Sequence, residues 1–541
     1  MSEIAVESGV THGAEHHHPL HTARTPRWSG RATSFGVFAI LAVGAVYAIT
    51  SLIAALNGMP SSTPILQYVL LGVALAIALG FEFVNGFHDT ANAVATVIYT
   101  HSLPAQVAVV WSGVWNLIGV LTSAGLVAFT IISLLPVELI LQVGSSSGFA
   151  MVFALLIAAI IWNIGTWYFG IPNSSSHALI GSIIGVGLMN QLMGGPNGTS
   201  GVDWEQATKV FRSLAFSPLI GFGLSFLLLY VGKIVLPFPK LYEAPKGSAP
   251  PPAWIRALLV LTCTGVSFFH GSNDGQKGMG LIMLILIGTV PTAYALNHAV
   301  GADQVQVFSL NSQRAEDVLD KHIGTATSTD ARKDVTEALR TRTVTPESVP
   351  ALRVLISDIN TQVSQYGALS NVPPAQTTNV RNDMYLASEL LTRIGKGAGP
   401  HLDAKEQADL KTYKTSIDNA TKFIPTWVKV AVAIALGMGT MVGWKRIVVT
   451  VGEKIGKTHL TYGQGAAAEI VAMFTIGAAD MWGWPVSTTH VLSSGVAGTM
   501  AANKSGLQWS TIRNMAMAWI LTLPAAIMLS GSLFWIFRHT F

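Results

Sequence analysis

Continuous apolar runs dominate the pattern along this chain. Runs of roughly 20 apolar residues recur, and each is long enough to cross about 30 Å of hydrocarbon as a helix. A membrane β-barrel would instead show alternating segments of about ten residues. We expect crossings at residues 34–56, 66–98, 105–133, 151–170, 178–193, 214–232, 257–297, 427–443, 461–482, 491–502 and 513–537. The pattern predicts an all-α polytopic membrane protein with about 10–12 transmembrane segments.

Polar and proline-rich stretches divide these runs into parts. The expected parts are a disordered histidine-containing tail (1–33), a first transmembrane repeat with an extra N-terminal helix (34–237), a proline-rich linker (238–254), the start of a second repeat (255–300), a polar helical insert outside the membrane (301–423), and the rest of the second repeat (424–541).

Charge adds an orientation. Charged residues make up only 11% of the 541 residues, whereas an ordinary soluble domain carries about 25%. Lysines and arginines collect beside the apolar runs, at residues 24–31, 233–256 and 445–457. If each run crosses once, these three groups share one side, which the positive-inside rule assigns to the cytoplasm. We therefore expect a cytoplasmic N-terminus, an external insert and C-terminus, and no nucleic-acid partner.

Two short motifs each occur twice within the apolar surroundings. Residues 83–92 (FVNGFHDTAN) return as residues 268–277 (FFHGSNDGQK), with Asp89 aligned to Asp274, and residues 172–177 (PNSSSH) return as 485–490 (PVSTTH). Paired motifs in the same order indicate a duplicated transporter. The same count of crossings sends the first motif inward and its copy outward, which predicts an inverted repeat.

The motifs contain the polar groups of an anion site. Gly86 and Gly271 lower the cost of interrupting a helix in mid-membrane, and a broken helix exposes N–H groups that attract anions. The proline-serine motifs suit helix starts rich in hydroxyl donors. Asp89 and Asp274 would repel an anion unless a cation or proton intervenes. Broken helices and coupling to Na⁺, H⁺ or a divalent metal are therefore expected.

These motifs resemble those of the inorganic phosphate transporter (PiT) family, in its bacterial low-affinity branch. The family pattern G-x-N-D-x-x-N is similar to residues 86–92 and 271–277, and P-V-S-T-T-H is matched in full at 485–490 and loosely at 172–177. The resemblance implies a symporter that imports inorganic phosphate across the bacterial inner membrane, with phosphate bound between the repeats. The expected partners are phosphate and the lipid bilayer. The sequence also permits a homodimer.

The resemblance and the donor chemistry together give the candidate site. The substrate-binding candidates are Asp89, Thr90, Asn92, Ser174, Ser175, Asn273, Asp274, Ser487, Thr488 and Thr489. The candidates for the coupling ion or proton are His88, Asp89, Asp274 and Lys277, and those for a metal are Asp89 and Asp274.

Two departures from the family pattern bear on the coupling ion. His88 and Lys277 stand where the pattern has asparagine. A lysine ammonium has no acceptor with which to ligate Na⁺, whereas histidine is a residue type that titrates near neutral pH. We therefore favour proton coupling over sodium coupling. Phosphate would travel as a neutral complex with Mg²⁺ or Ca²⁺, and no permanently bound cofactor is expected.

Three other functions are compatible with parts of the pattern. His88, Asp89, Ser175 and His177 could form the nucleophile and base of an intramembrane hydrolase, although Ser175 does not lie in a Gly-x-Ser-x-Gly elbow and no His-Glu-x-x-His occurs. A divalent-cation channel would favour rings of acidic residues. Sulfate is the nearest rival substrate, and only the family resemblance separates it from phosphate.

Overall fold

Helices form nearly all of the computed structural model, which describes residues 30–57, 64–142, 144–194 and 201–540. The helices are α1 (Gly30–Leu56), α2 (Ile65–Tyr99), α3 (Ala105–Thr122), α4 (Leu126–Ile132), α5 (Val137–Leu141), α6 (Ser146–Tyr168), α7 (Ser175–Gly194), α8 (Trp204–Val235), α9 (Ala253–Thr289), α10 (Pro291–Tyr294), α11 (Ala302–Asp320), α12 (Ala331–Thr341), α13 (Ser348–Tyr366), α14 (Pro374–Gly395), α15 (Ala404–Thr421), α16 (Thr426–Met441), α17 (Lys445–Glu453), α18 (Tyr462–Met481), α19 (Thr488–Ala502) and α20 (Trp509–Thr540). Within those ranges the extended pairing is a single bridge between Gly456 and Leu507.

The apolar runs predicted from the sequence become long helices. In the described part of the chain, eight helices are long and apolar enough to cross a membrane, and a ninth span results if α15 and α16, bent by 71° at their junction, are counted together. Many of their apolar side chains point outward, as expected where lipid replaces water. The all-α membrane fold class is confirmed.

The two helices that carry the first motif are continuous, so the prediction that the motif breaks them is wrong. α2 has 35 residues and α9 has 37, without interruption. The motif glycines serve close packing instead. A methyl group added at Gly86 would collide with the backbone oxygen of Leu436, and one at Gly271 would collide with that of Asn116. Small residues that let helix backbones approach are typical of membrane bundles.

The motif helices α2 and α9 run in opposite directions. Glu82 lies against Gly278, Asp89 lies 3.9 Å from His270, and Thr96 is linked through Glu469 to Thr262. Residue numbers thus rise along α2 as they fall along α9. This arrangement agrees with the charge pattern, while the inversion of the two complete halves stays a prediction.

The chain leaves the helical conformation at the second motif, in two hairpins. One hairpin is α6 and α7, whose open end lies beside the insert, because Arg342 bonds the backbone oxygen of Val202 there. The other is α18 and α19, whose open end lies beside the linker, where Tyr462 N donates to Glu243 O at 3.3 Å. The hairpin tips meet, since Ser176 Oγ donates to Val486 O at 3.0 Å. Two chain turns from opposite ends of the bundle therefore form one contact.

The insert, helices α11–α15, has a hydrophobic core of its own. Leu352, Leu355, Ile356 and Ile359 from one face of α13 are buried in it. The insert also pairs with the start of α8, where Lys396 Nζ lies 3.2 Å from a carboxylate oxygen of Glu205. Its side of the membrane stays a prediction, and residues 1–29 of the histidine-containing tail lie outside the described residues.

Candidate functional site

Asp89 is held by the tips of both hairpins. Ser175, the first residue of α7, donates its hydroxyl to Asp89 Oδ2 at 2.7 Å, and Thr489, the second residue of α19, donates to Asp89 Oδ1. The carboxylate is buried. Helix N-termini carry a partial positive charge, so two of them facing one carboxylate stabilise its negative form. In this structure the hydroxyls of Ser175 and Thr489 bind the carboxylate of Asp89, and their role as phosphate ligands stays a prediction.

Asp274, the matching residue in the second copy, has a different partner. Lys277 Nζ lies 2.7 Å from Asp274 Oδ1, one helical turn along α9. The same ammonium donates to Ser176 Oγ at 2.5 Å. Lys277 and Asp274 are both fully buried. The ion pair neutralises the second aspartate and also connects α9 to the tip of the first hairpin.

His270 lies between the two aspartates. Its Nε2 is 3.9 Å from Asp89 Oδ2 and 3.6 Å from Asp274 Oδ2. Its Nδ1 is 2.6 Å from Asn116 Oδ1, which accepts the ring hydrogen. Nε2 is buried and has no hydrogen-bond partner among the described residues. The ligand atoms of Asp89, His270 and Asp274 lie within 4.8 Å of one another, close enough to hold one cation.

His88 is a neighbour of Asp89 rather than of the second copy. Its Nδ1 is 3.7 Å from Asp89 Oδ1, and its Nε2 is 3.3 Å from Thr166 Oγ1. The ring is fully buried. Asp89 thus has histidines on two sides.

Ser174 and Ser487 lie at the matching helix starts but cap the helices. Ser174 Oγ accepts from His177 N at 3.2 Å, and Ser487 Oγ accepts from His490 N at 3.2 Å. Such caps satisfy N–H groups that the first helical turn leaves free. The rings of His177 and His490 pack 4.5 Å apart between the hairpins. These four residues shape the contact between the tips.

The remaining predicted residues differ in their surroundings. Asn273 Nδ2 donates to Trp484 O at 3.1 Å, which ties α9 to the second hairpin loop. Thr488 Oγ1 is buried without a hydrogen-bond partner among the described residues, one residue before the clamp at Thr489. The side chains of Thr90 and Asn92 lie outside the described residues.

His270 and Asn116 are site residues whose importance sequence reasoning missed. Neither residue is among the candidates that the sequence indicates. The spacing of His270 and Asp274, four residues apart on a helix, places both on one face and is a usable signal. No comparable local signal exists for Asn116, because it reaches His270 from a different helix.

Two other carboxylates, buried Glu469 and half-buried Asp480, already have polar partners. Glu469 accepts from Thr96 and Thr262, and Asp480 accepts from Ser272 at 2.6 Å and from Gln276 at 2.7 Å. These bonds satisfy the carboxylates without a bound ion. The Asp89–His270–Asp274 group is different, because a ring nitrogen with no partner faces two carboxylates.

The family model and the relatives found by sequence agree with each other. A family model described as "Phosphate transporter family" matches residues 85–530. The low-affinity inorganic phosphate transporter PitA of Escherichia coli (strain K12) is 42% identical over 486 residues, covering 86% of this chain and 96% of the relative. A low-affinity inorganic phosphate transporter of Buchnera aphidicola (subsp. Acyrthosiphon pisum, strain APS) is 41% identical over 481 residues, covering 86% of this chain and 96% of the relative. A solved structure titled "The sodium-dependent phosphate transporter" aligns with 87% of this chain and 100% of its own, at 18% identity and a TM-score of 0.48.

Proposed function

Because this chain belongs to the phosphate transporter family, we propose that it is a symporter that imports inorganic phosphate across a bacterial inner membrane. The family and the similar proteins are transporters and not enzymes, so the hydrolase interpretation is not retained. The coupling ion in this proposal is H⁺, and phosphate crosses as a neutral complex with Mg²⁺ or Ca²⁺.

The observation that carries the proposal is the clamp on Asp89. Two hydroxyls and two helix N-termini, one from each hairpin, bind a carboxylate. The same uncharged donors suit a phosphate oxygen, which they can bind and later release. Asp89 therefore occupies the place of the transported anion in this conformation.

Coupling follows from competition between Asp89 and phosphate. While Asp89 is negative, it engages the hydroxyls of Ser175 and Thr489, so these donors are not available to phosphate. Neutralising the carboxylate weakens its bonds to both hydroxyls, because a charged acceptor binds them more strongly than a neutral one. The freed donors then bind phosphate. Cation binding thereby favours anion binding, which is the requirement for symport.

The place for the proton is between His270 and Asp89. Since Nδ1 of His270 donates to Asn116, an unprotonated Nε2 would direct its lone pair at two carboxylates. A proton on Nε2 removes this repulsion, and it can pass to Asp89 Oδ2 when the distance of 3.9 Å shortens. A divalent cation held by the same three residues is the competing occupant, and an imidazole ligand favours Zn²⁺ over Mg²⁺ or Ca²⁺.

Lys277 supports proton coupling over the sodium-coupled alternative. Its ammonium already neutralises Asp274 at 2.7 Å, and it offers no acceptor to a Na⁺ ion. A permanent cation in the second copy leaves one aspartate, Asp89, for the mobile cation. Lys277→Asn would remove the permanent cation and is expected to introduce Na⁺ dependence.

Uptake of labelled phosphate into proteoliposomes tests the proposal. We expect uptake to rise with an inward proton gradient and with Mg²⁺, and to proceed without Na⁺. Uptake that requires Na⁺, whatever the proton gradient or metal, would overturn proton coupling while leaving phosphate transport intact. Labelled sulfate in the same vesicles serves as the substrate control, and equal uptake of both anions would contradict phosphate selectivity.

A further inference from the structure

A groove on the outer surface of the bundle has no place in the proposed transport cycle. It lies between α8 and the end of α18 and encloses about 820 Å³. Ligand sites commonly enclose roughly 300–1,000 Å³. One of its walls is the loop of the second hairpin, at Trp484, Pro485 and Val486. The groove is thus adjacent to the transport site but on the lipid side of it.

The lower part of the groove is apolar and faces the bilayer. Phe216, Ile220, Leu224 and Phe474 line it, and their side chains are 38–67% exposed. From residue 212 to residue 224, α8 rises about 18 Å, at 1.5 Å per residue. That length is close to one leaflet of hydrocarbon, about half of 30 Å. An acyl chain matches this part of the groove in polarity and length.

The upper end of the groove is positively charged. Arg212 is exposed and has no ion-pair partner among the described residues. Next to it, Lys209 lies 2.6 Å from Glu205, and the same carboxylate is 3.2 Å from Lys396. Two ammonium groups on one carboxylate leave a net positive charge, to which Arg212 adds another. An anionic group is therefore favoured at this end.

Arg212 lies at the level of the lipid headgroups. Residues 213–232 of α8 carry no charge, and about 20 residues are the length of one crossing. Arg212 precedes this stretch directly. Trp482 and Trp484, with rings 5.4 Å apart and more than half exposed, lie at the same end of the groove. Tryptophans concentrate at the membrane interface.

We propose that this groove binds one anionic phospholipid, with its headgroup phosphate on Arg212 and one acyl chain along Phe216, Ile220 and Phe474. The lipid would support the second hairpin from behind. Ser213, on the groove wall, donates to Pro485 O at 3.0 Å, directly before the hydroxyls of that hairpin. The groove is a lipid site distinct from the phosphate site, and its occupancy needs no transport.

Native mass spectrometry of the full-length protein in detergent tests this site. The probe is phosphatidylglycerol, and phosphatidylethanolamine is the zwitterionic control. We expect one phosphatidylglycerol to be retained in preference to phosphatidylethanolamine. Arg212→Gln should weaken its retention roughly five-fold, the effect of one basic residue near a headgroup. Ala478→Phe, which fills the groove and leaves every charge in place, should also weaken it.

Arg513→Gln is the matched control, because Arg513 is exposed near the start of α20 and does not line the groove. It should leave lipid retention unchanged.

Equal retention of the two lipids, or equal effects of the two arginine variants, would overturn the site. Displacement of phosphatidylglycerol by inorganic phosphate would assign Arg212 to the free anion instead. A dimer that forms only without lipid would assign the groove to a second copy. Unchanged unfolding temperatures of the three variants would exclude misfolding as the cause.

Discussion

Asp89 and Asp274 occupy the same position in two copies of one motif, yet their partners differ. Asp89 accepts hydrogen bonds from hydroxyls of both hairpin tips, and its ion-pair neighbours among the described residues are His88 and His270. Asp274 has a lysine of its own helix at 2.7 Å. Asp274 is thus paired with the ammonium of a lysine, whereas we propose that Asp89 requires a cation that binds and leaves. Two departures from the family pattern, His88 in the first copy and Lys277 in the second, make the copies unequal.

The largest expected effect is the loss of transport in Asp89→Asn. The amide cannot become negative, so the hairpin clamp no longer responds to a cation. Uptake of labelled phosphate should fall to the level of protein-free vesicles. Asp480→Asn is the matched control, since Asp480 also accepts two bonds but lies outside the Asp89–His270–Asp274 group. Normal uptake by Asp89→Asn would show that Asp89 is not the aspartate that responds to the cation. The two aspartates would then not differ in the proposed way.

The next effect is the destabilisation of the protein in Lys277→Met. Removing one member of a buried ion pair leaves an uncompensated charge and costs about 3–5 kcal/mol. The unfolding temperature in detergent should fall, and Asp274→Asn combined with Lys277→Met should restore most of the loss. Equal unfolding temperatures for the single and double variants would mean that the ion pair is not coupled energetically.

A smaller effect is expected at His270, which lies between the two aspartates. Asn116→Ala removes the acceptor that orients His270. Loss of a partner that orients a cation-binding histidine typically weakens metal affinity by about 10–100-fold. The concentration of divalent metal that inhibits or stimulates uptake should shift accordingly, with the unfolding temperature as the control for folding. An unchanged metal response would remove His270 from the cation site.

The smallest effects should come from the two clamp hydroxyls. Ser175→Ala and Thr489→Val each remove one donor to Asp89. The same hydroxyl binds phosphate after Asp89 is neutralised, so its loss weakens the binding of both Asp89 and phosphate. The affinity for phosphate therefore changes only by the difference between these two losses. The phosphate concentration at half-maximal uptake should rise by less than about ten-fold, because one hydrogen bond contributes about 0.5–1.5 kcal/mol. Effects of very different size in the two variants would show that the hairpin tips are not equivalent.

Periodicity and composition were enough to predict the fold class. Long apolar runs predict long helices, because backbone N–H and C=O groups in hydrocarbon can form hydrogen bonds only with one another. The second motif also predicted helix starts correctly, since α7 and α19 begin at Ser175 and Thr488. The expected breaks at Gly86 and Gly271 were wrong. A glycine permits both a break and a close contact, and the choice depends on the helix packed against it.

The roles of the polar residues could be predicted only in part. Asp89 and Asp274 stand out in an apolar sequence, because an intramembrane carboxylate is costly unless it has a function. Their different partners could not be predicted in full. Lys277 is close in sequence to Asp274, so this pair follows from helical spacing. Thr489 is 400 residues from Asp89, and no local pattern links them.

The sequence by itself determined the α-helical membrane fold class and carried the motifs that resemble the phosphate transporter family, because apolar run length and short motifs are local properties. The tertiary structure decided which residues meet. It placed two hairpin tips on one aspartate and a histidine between two aspartates, and it assigned the motif glycines to packing. Contacts between distant segments depend on how whole helices pack, and that packing is set by the shapes of all their side chains together.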